Sequence, residues 1–126
     1  MTDQQSTPVF LNPFHIRFPA GAVASIAHRI SGVLLFLSLP FLAWLLDLSL
    51  QGPDGHARAV ELLQPAWVRL GSVLIAWSLF HHFVAGIRFL LIDIHIGVNL
   101  PAARISARAA SMAALLLALL YAWWVL

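Results

Sequence analysis

The sequence lacks cysteine and lysine, and charged residues make up only 10% of its 126 residues. Without thiols, the chain forms no disulfide and no thiolate-ligated metal site. Its seven cations are all arginines spread along the chain, which argues against the clustered basic surface of a nucleic-acid-binding protein. With 61% hydrophobic residues, the composition is far from that of a soluble domain.

Three long stretches also lack every Asp, Glu, Lys and Arg, and each contains 17 or 18 residues: 30–46, 70–87 and 109–126. With their apolar flanks, they reach the roughly 20 residues that a helix needs to cross a bilayer core. The sequence therefore predicts an all-α membrane protein with a single domain. The predicted transmembrane helices cover about 19–49, 65–96 and 102–126, after an arm at 1–18 on the membrane surface.

Prolines and turn residues divide the predicted spans. Pro19 suits the first turn of a helix, because its missing N–H has no partner there. Pro40 lies inside the first span, where it should kink the helix or loosen one hydrogen bond. Turn-forming residues at 51–55 and 97–101 separate the spans, and a short interfacial helix is expected at 56–64.

The arginines indicate which ends of the spans face the cytoplasm. Most of them lie at the end that includes the N-terminus: Arg17, Arg29, Arg88, Arg104 and Arg108. The positive-inside bias therefore predicts a cytoplasmic N-terminus. Tryptophans form the interfacial belt expected at the opposite membrane face: Trp44, Trp67, Trp123 and Trp124.

Two adjacent histidines, His81 and His82, lie deep in the second predicted span. Neutral imidazole is a good metal ligand and a common axial ligand of haem iron. The two side chains point about 100° apart on a helix. His82 shares a stripe with Gly86, which lacks a side chain where a flat macrocycle or another helix approaches. The alternative is that both imidazoles simply hydrogen-bond to backbone or to neighbouring helices.

Ser25, His28 and Arg29 form a polar string on one face at the start of the first predicted span. His28 and Arg29 suit the two propionates of a haem, which need cations near the polar edge of the membrane. Ser25 and Arg29 suit a quinone carbonyl oxygen, on which charge develops during reduction. From spacing alone, the more ordinary interpretation is that Arg29 extends to the headgroups and Ser25 bonds to its own helix.

Two further features concern packing. Alanines recur at four-residue intervals in the third predicted span, a spacing that favours close helix approach: Ala110, Ala114, Ala118 and Ala122. Asp93, near the end of the second span, is expected to pair with Arg88 or Arg104.

Two motifs together resemble those of a known family. The first runs from Ile16-Arg17-Phe18-Pro19 to Ser25-x-x-His28-Arg29-x-Ser31-Gly32-Val33. The second is His82-x-x-x-Gly86-x-Arg88, followed by Asp93. Over roughly residues 12–126, the layout resembles that of the cytochrome b subunit of bacterial succinate dehydrogenase, the larger of the two small membrane anchors of respiratory complex II. Phe89 stands where many members of this family carry histidine.

The resemblance implies that His82 is an axial ligand of haem b, because the Gly-x-Arg spacing fixes the register. It implies a second axial histidine from a partner anchor subunit, also with three helices. His28 and Arg29 match positions near the haem propionates, and Ser25 and Arg29 match the ubiquinone-binding pair.

The resemblance also implies partners and a location. The partners are the second anchor subunit, an iron–sulfur subunit, a flavoprotein subunit and the lipid bilayer of the bacterial inner membrane. Succinate oxidation then belongs to the flavoprotein. This chain carries no catalytic residue for that step and contributes to quinone reduction.

Two other functions fit the same features. The chain suits the anchor of a quinol:fumarate reductase, which runs the reaction in the opposite direction. It also suits a haem-free structural or proton-path subunit, although the third predicted span has no charged residue after Arg108 to continue such a path.

Overall fold

The computed structural model describes residues 18–126, which form four α-helices and no strand. The helices are α1 (Ala20–Ser49), α2 (Pro53–Leu62), α3 (Ala66–Asp93) and α4 (Leu100–Val125). Three of them, α1, α3 and α4, are long and apolar enough to cross a membrane. The predicted fold class, an all-α protein with three transmembrane helices, is confirmed. The arm predicted at 1–18 lies outside the described residues, apart from Phe18.

Local sequence determines where the helices begin. Pro19 and Pro65 hold extended backbone immediately before α1 and α3, and Pro53 is in the first turn of α2, where it needs no N–H partner. The Asn99 side chain accepts a hydrogen bond of 2.9 Å from the backbone N–H of Ala102 and so caps α4. Because of this cap, α4 begins at Leu100 rather than at 102.

The end of α3 also differs from the prediction, since the helix stops at Asp93 and not at 96. His95 adopts left-handed backbone with φ of 64°, which cannot continue a right-handed helix. The N–H of His95 donates to the Ile92 carbonyl, and the N–H of Ile96 donates to the Leu91 carbonyl, both at 2.9 Å. These two bonds form a Schellman ending that satisfies carbonyls at the helix terminus.

The short interfacial helix that was expected at 56–64 is present as α2, which begins earlier, at Pro53, and ends at Leu62. It packs against α1, near the end of α1 that is remote from the N-terminus. The long helix α1 continues through Pro40.

Helix α3 packs against both α1 and α4, and small side chains line the contacts. The buried residues of α4 are all alanines: Ala107, Ala110, Ala114 and Ala118. On α3, Ser78 and Ala85 are also fully buried. Side chains this small let the helix backbones approach closely. Most large apolar side chains point outward, as expected of helices that face lipid or other membrane subunits.

One buried cation joins α3 to α4 at the end of the bundle that holds the start of α1. Arg88 is 8% exposed, and its Nε and Nη2 donate to the Ser106 hydroxyl and the Ala103 carbonyl, each at 3.0 Å. The expected pairing of Asp93 is therefore wrong for Arg88, which bonds to polar groups of α4 instead. No ion pair of Asp93 occurs within residues 18–126. These two acceptors replace part of the water that the guanidinium loses on burial, and Nη1 has no hydrogen-bond partner within residues 18–126.

Candidate functional site

The imidazoles of His28 on α1 and His82 on α3 stack on each other in the contact between these helices. Their ring centroids are 4.1 Å apart, and their planes differ by 6°. His82 Nδ1 lies 3.1 Å from the backbone carbonyl oxygen of His28, and the Ser31 hydroxyl donates to the same oxygen at 2.8 Å. The Ser31 Oγ is also 3.5 Å from His82 Nδ1. One backbone carbonyl of α1 therefore orients the imidazole of His82.

This contact favours one tautomer of His82. A ring nitrogen can bond to a carbonyl oxygen only by donating, so Nδ1 carries the proton. In the neutral ring the other nitrogen, Nε2, then has a free lone pair, and it makes no hydrogen bond with residues 18–126. A neutral imidazole that donates one N–H to a backbone carbonyl and offers its second nitrogen is the usual arrangement of a metal-binding histidine.

Glycines make room for this pair of rings. A Cβ on Gly32 would lie 2.9 Å from His82 Cε1 and 3.2 Å from its Nδ1, so the imidazole would have to move. A Cβ on Gly86 would lie 3.5 Å from His28 Nε2, which is an ordinary contact. Gly32 therefore sets the position of His82 more strictly than Gly86 does, although the sequence pattern drew attention to Gly86.

The neighbouring histidine, His81, is placed very differently. It is only 2% exposed, its ring packs 5.4 Å from that of Trp77, and neither of its nitrogens has a hydrogen-bond partner in the described chain. It lies on the buried stripe of α3 that also carries Ala85 and Arg88, and Arg88 contacts α4. His82 is partly exposed, whereas His81 is enclosed, so only His82 is accessible to a ligand from outside the chain.

Phe89 closes one side of the site. Its ring meets the His28 ring edge-on, with centroids 5.2 Å apart, and the Arg88 guanidinium carbon lies 5.1 Å from the Phe89 centroid. The residue that departs from the family pattern thus packs between a site histidine and the buried arginine. An aromatic ring in this position stabilises the neighbouring guanidinium through its π-face.

Ser25 and Arg29 lie on α1 beside His28 and form no hydrogen bond with His82. Ser25 is partly buried and Arg29 is exposed, and neither side chain forms a hydrogen bond within residues 18–126. The structure therefore brings His28 and His82 together and leaves the Ser25 hydroxyl and the Arg29 guanidinium available. Of the residues that complete the contact, sequence reasoning gave no role to Ser31, Gly32 or Phe89. The first two belong to the Ser-x-x-His-Arg-x-Ser-Gly motif, which was the available signal.

Residues 18–126 contain no group of three or more His, Asp or Glu side chains that would hold a metal ion. A porphyrin iron needs no such group, since its ring supplies four ligands and the protein supplies only axial ones. The Nε2 atom of His82, which has no hydrogen-bond partner within residues 18–126, fits that axial role.

A bundle of three helices long and apolar enough to cross a membrane, with one partly exposed, oriented imidazole between two of them, defines a multi-pass membrane protein. Residues 3–121 match the family described as the succinate dehydrogenase/fumarate reductase transmembrane subunit. The match covers most of the sequence, and the chain belongs to this family.

Individual relatives agree with this assignment. The succinate dehydrogenase cytochrome b556 subunit of Coxiella burnetii is 37% identical over 102 residues, which are 79% of this chain and 81% of the relative. The subunit of the same name from Paracoccus denitrificans is 30% identical over 107 residues, 82% and 80% of the two chains. That of Rickettsia felis is 31% identical over 96 residues, 76% and 74% of the two chains.

The close approach of Gly32 to the His82 ring predicts that Gly32→Ala destabilises the protein, because the added methyl group meets that ring. Overpacking of this kind costs about 1–3 kcal/mol. Gly21→Ala is the matched control, since a Cβ there meets nothing within 4 Å. Thermal unfolding of the detergent-solubilised protein should show a lower midpoint for Gly32→Ala than for Gly21→Ala. Equal midpoints would contradict the close approach of α1 to His82.

Proposed function

We propose that this chain is the haem b-binding membrane subunit of a bacterial succinate:quinone oxidoreductase. The observation that carries the proposal is the orientation of His82, whose Nδ1 donates to the His28 carbonyl while Nε2 stays free. The relatives' name, cytochrome b556, supports a b-type haem at this place. We assign His82 as one axial ligand, through Nε2, and the second axial histidine to a partner anchor subunit.

Polar groups of α1 complete the haem site in this proposal. His28 stacks on His82, and Arg29 is the next residue along the helix. A haem carries two propionates, for which the Arg29 guanidinium and an imidazole N–H of His28 are suitable hydrogen-bond donors. When bound, the haem supplies a centre that takes up and releases one electron. The protein orients the ligand nitrogen and neutralises the propionates.

Ser25 and Arg29 form the part of the ubiquinone site that this chain contributes. A quinone carbonyl oxygen accepts hydrogen bonds, and negative charge develops on it as electrons arrive. The Ser25 hydroxyl and the Arg29 guanidinium are both donors without a partner in residues 18–126. Two electrons and two protons convert the quinone to quinol. Ser25 orients the oxygen, and the Arg29 charge stabilises it during the reaction.

The proposal also assigns partners and an orientation in the membrane. The family description and the relatives' names refer to succinate dehydrogenase, an enzyme whose subunits assemble in one complex. We assign the chain to a complex with a second anchor subunit, an iron–sulfur subunit and a flavoprotein. Exposed Arg104 and Arg108 lie at the same end of the bundle as the start of α1, which supports a cytoplasmic N-terminus in the inner membrane.

A fumarate reductase anchor is the second candidate, because the family description covers both enzymes. The three relatives are all named for succinate dehydrogenase, which favours the first candidate. A haem-free proton-path subunit has less support, since α4 carries no charged residue after Arg108 to continue a path beyond buried His81 and Arg88.

Replacing His82 by Ala should abolish the b-type absorption in a dithionite-reduced minus oxidised spectrum, because the change removes the ligand nitrogen. His81→Leu is the control, since it removes the adjacent imidazole but keeps an apolar side chain in the buried stripe. Its spectrum should keep the same bands. Loss of the bands in His81→Leu with retention in His82→Ala would reverse the ligand assignment.

Changing Ser25 to Ala or Arg29 to Leu should lower succinate:quinone reductase activity by about tenfold or more, the loss expected when a donor to a developing charge is removed. Succinate oxidation with a soluble artificial acceptor should remain. Arg104→Leu removes an exposed arginine from the same end of the bundle and should leave both activities unchanged. Full quinone reductase activity in both site variants would exclude the proposed quinone contacts.

A further inference from the structure

A polar cavity lies at the end of the bundle that is remote from the start of α1. It has a volume of about 340 Å³ and lies between the first turns of α3, the last turns of α4 and the segment that follows α2. Its polar lining comes from Gln64, Arg69, Ser72, Tyr121 and Trp124. Arg69 is about 20 Å along α3 from His82, at 1.5 Å per residue. The cavity therefore takes no part in the site described above.

The two hydroxyl groups that line this cavity already donate to acceptors within the described chain. Tyr121 donates to the Ser72 hydroxyl at 3.2 Å, and Ser72 donates to the Arg69 carbonyl at 2.7 Å. This chain of two bonds ties the last turns of α4 to the first turn of α3. Both hydroxyl protons are used, so Tyr121 and Ser72 hold the cavity in shape and donate nothing to a ligand.

Other donors of the lining remain available. The Arg69 Nε donates to the Gln64 carbonyl at 2.9 Å, and Nη1 reaches the Val125 carbonyl only at 3.5 Å. Nη2, the Gln64 side-chain amide and the Trp124 indole N–H form no hydrogen bond within residues 18–126. The lining contains no carboxylate, and Arg69 has no ion pair in the described chain. One cation and two neutral donors around a shared space are the chemistry of an anion site.

The position of the cavity indicates which kind of anion would bind there. Exposed tryptophans gather at this end of the bundle, with Trp67 at 75% and Trp123 at 90% exposure. Tryptophans concentrate at the level of lipid headgroups. The remaining walls are apolar: Leu63, Val68 and Val125. A ligand with a phosphate beside an apolar body matches both parts of the lining.

We propose that this cavity binds the phosphodiester group of a membrane phospholipid. Arg69 supplies the charge, with its Nη edge directed to two phosphate oxygens, and Gln64 and Trp124 donate further hydrogen bonds. The apolar walls cover the glycerol and the first carbons of the acyl chains. The bound lipid stabilises the contact between the start of α3 and the end of α4. The proposal does not depend on haem or quinone binding.

Native mass spectrometry of the complex purified through this chain tests the proposal, after a detergent wash that removes loosely held lipid. Wild-type complex should keep one phospholipid per copy of this chain. In Arg69→Gln, the occupancy of that lipid should be lower by about tenfold or more, as expected for lost charge-assisted hydrogen bonds. Arg58→Gln is the control, because Arg58 is an exposed arginine of α2 outside the cavity lining. It should keep the lipid.

Two further arms make the result decisive. Arg69→Lys retains the charge but cannot face two phosphate oxygens at once, so it should keep more of the lipid than Arg69→Gln and less than wild type. Delipidated wild-type complex should take up a short-chain phospholipid but not inorganic phosphate at equal concentration. Equal lipid counts in wild type and Arg69→Gln, or uptake of inorganic phosphate alone, would overturn the proposal.

Discussion

The rest of the site depends on one hydrogen bond between two helices, from the His82 imidazole to the backbone carbonyl of His28. The bond fixes the ring plane and the tautomer, and it leaves Nε2 as a lone-pair donor inside the bilayer. The Ser31 hydroxyl, which bonds to the same oxygen, keeps that carbonyl next to the ring.

Small residues make this bond possible. The carbonyl of His28 reaches α3 because Gly32, one turn further on, presents no side chain to the ring. On the other side of α3, alanines of α4 let this helix approach, and Arg88 fixes their relative position by donating to Ser106 and Ala103. Helix α3 is thus held from both sides, and His81 and His82 separate into an enclosed and an accessible imidazole. The two cations near the site, Arg29 and Arg88, have different tasks: the first is exposed to ligands, and the second joins two helices.

The sequence was sufficient for the three spans, because charge-free runs of bilayer length are rare outside membrane helices. It was insufficient where a result depends on how helices cross. The left-handed backbone that ends α3 occurs at His95, and a histidine at this position does not predict that conformation from the sequence. The bonds of Arg88 to α4 rather than to Asp93, and the approach of Gly32 to His82, arise only when three helices are packed together. The polar cavity near Arg69 is lined by residues that are more than fifty positions apart in the sequence, so no local sequence pattern indicates it.

An electron cryomicroscopy map of the assembled complex would locate the nitrogen that binds the iron. The identity of that nitrogen is the most direct test of the haem assignment. We predict iron coordinated by Nε2 of His82, with Nδ1 still within hydrogen-bond distance of the His28 carbonyl oxygen. Iron bound to His81 or His28, or bound through Nδ1 of His82, would contradict the assignment.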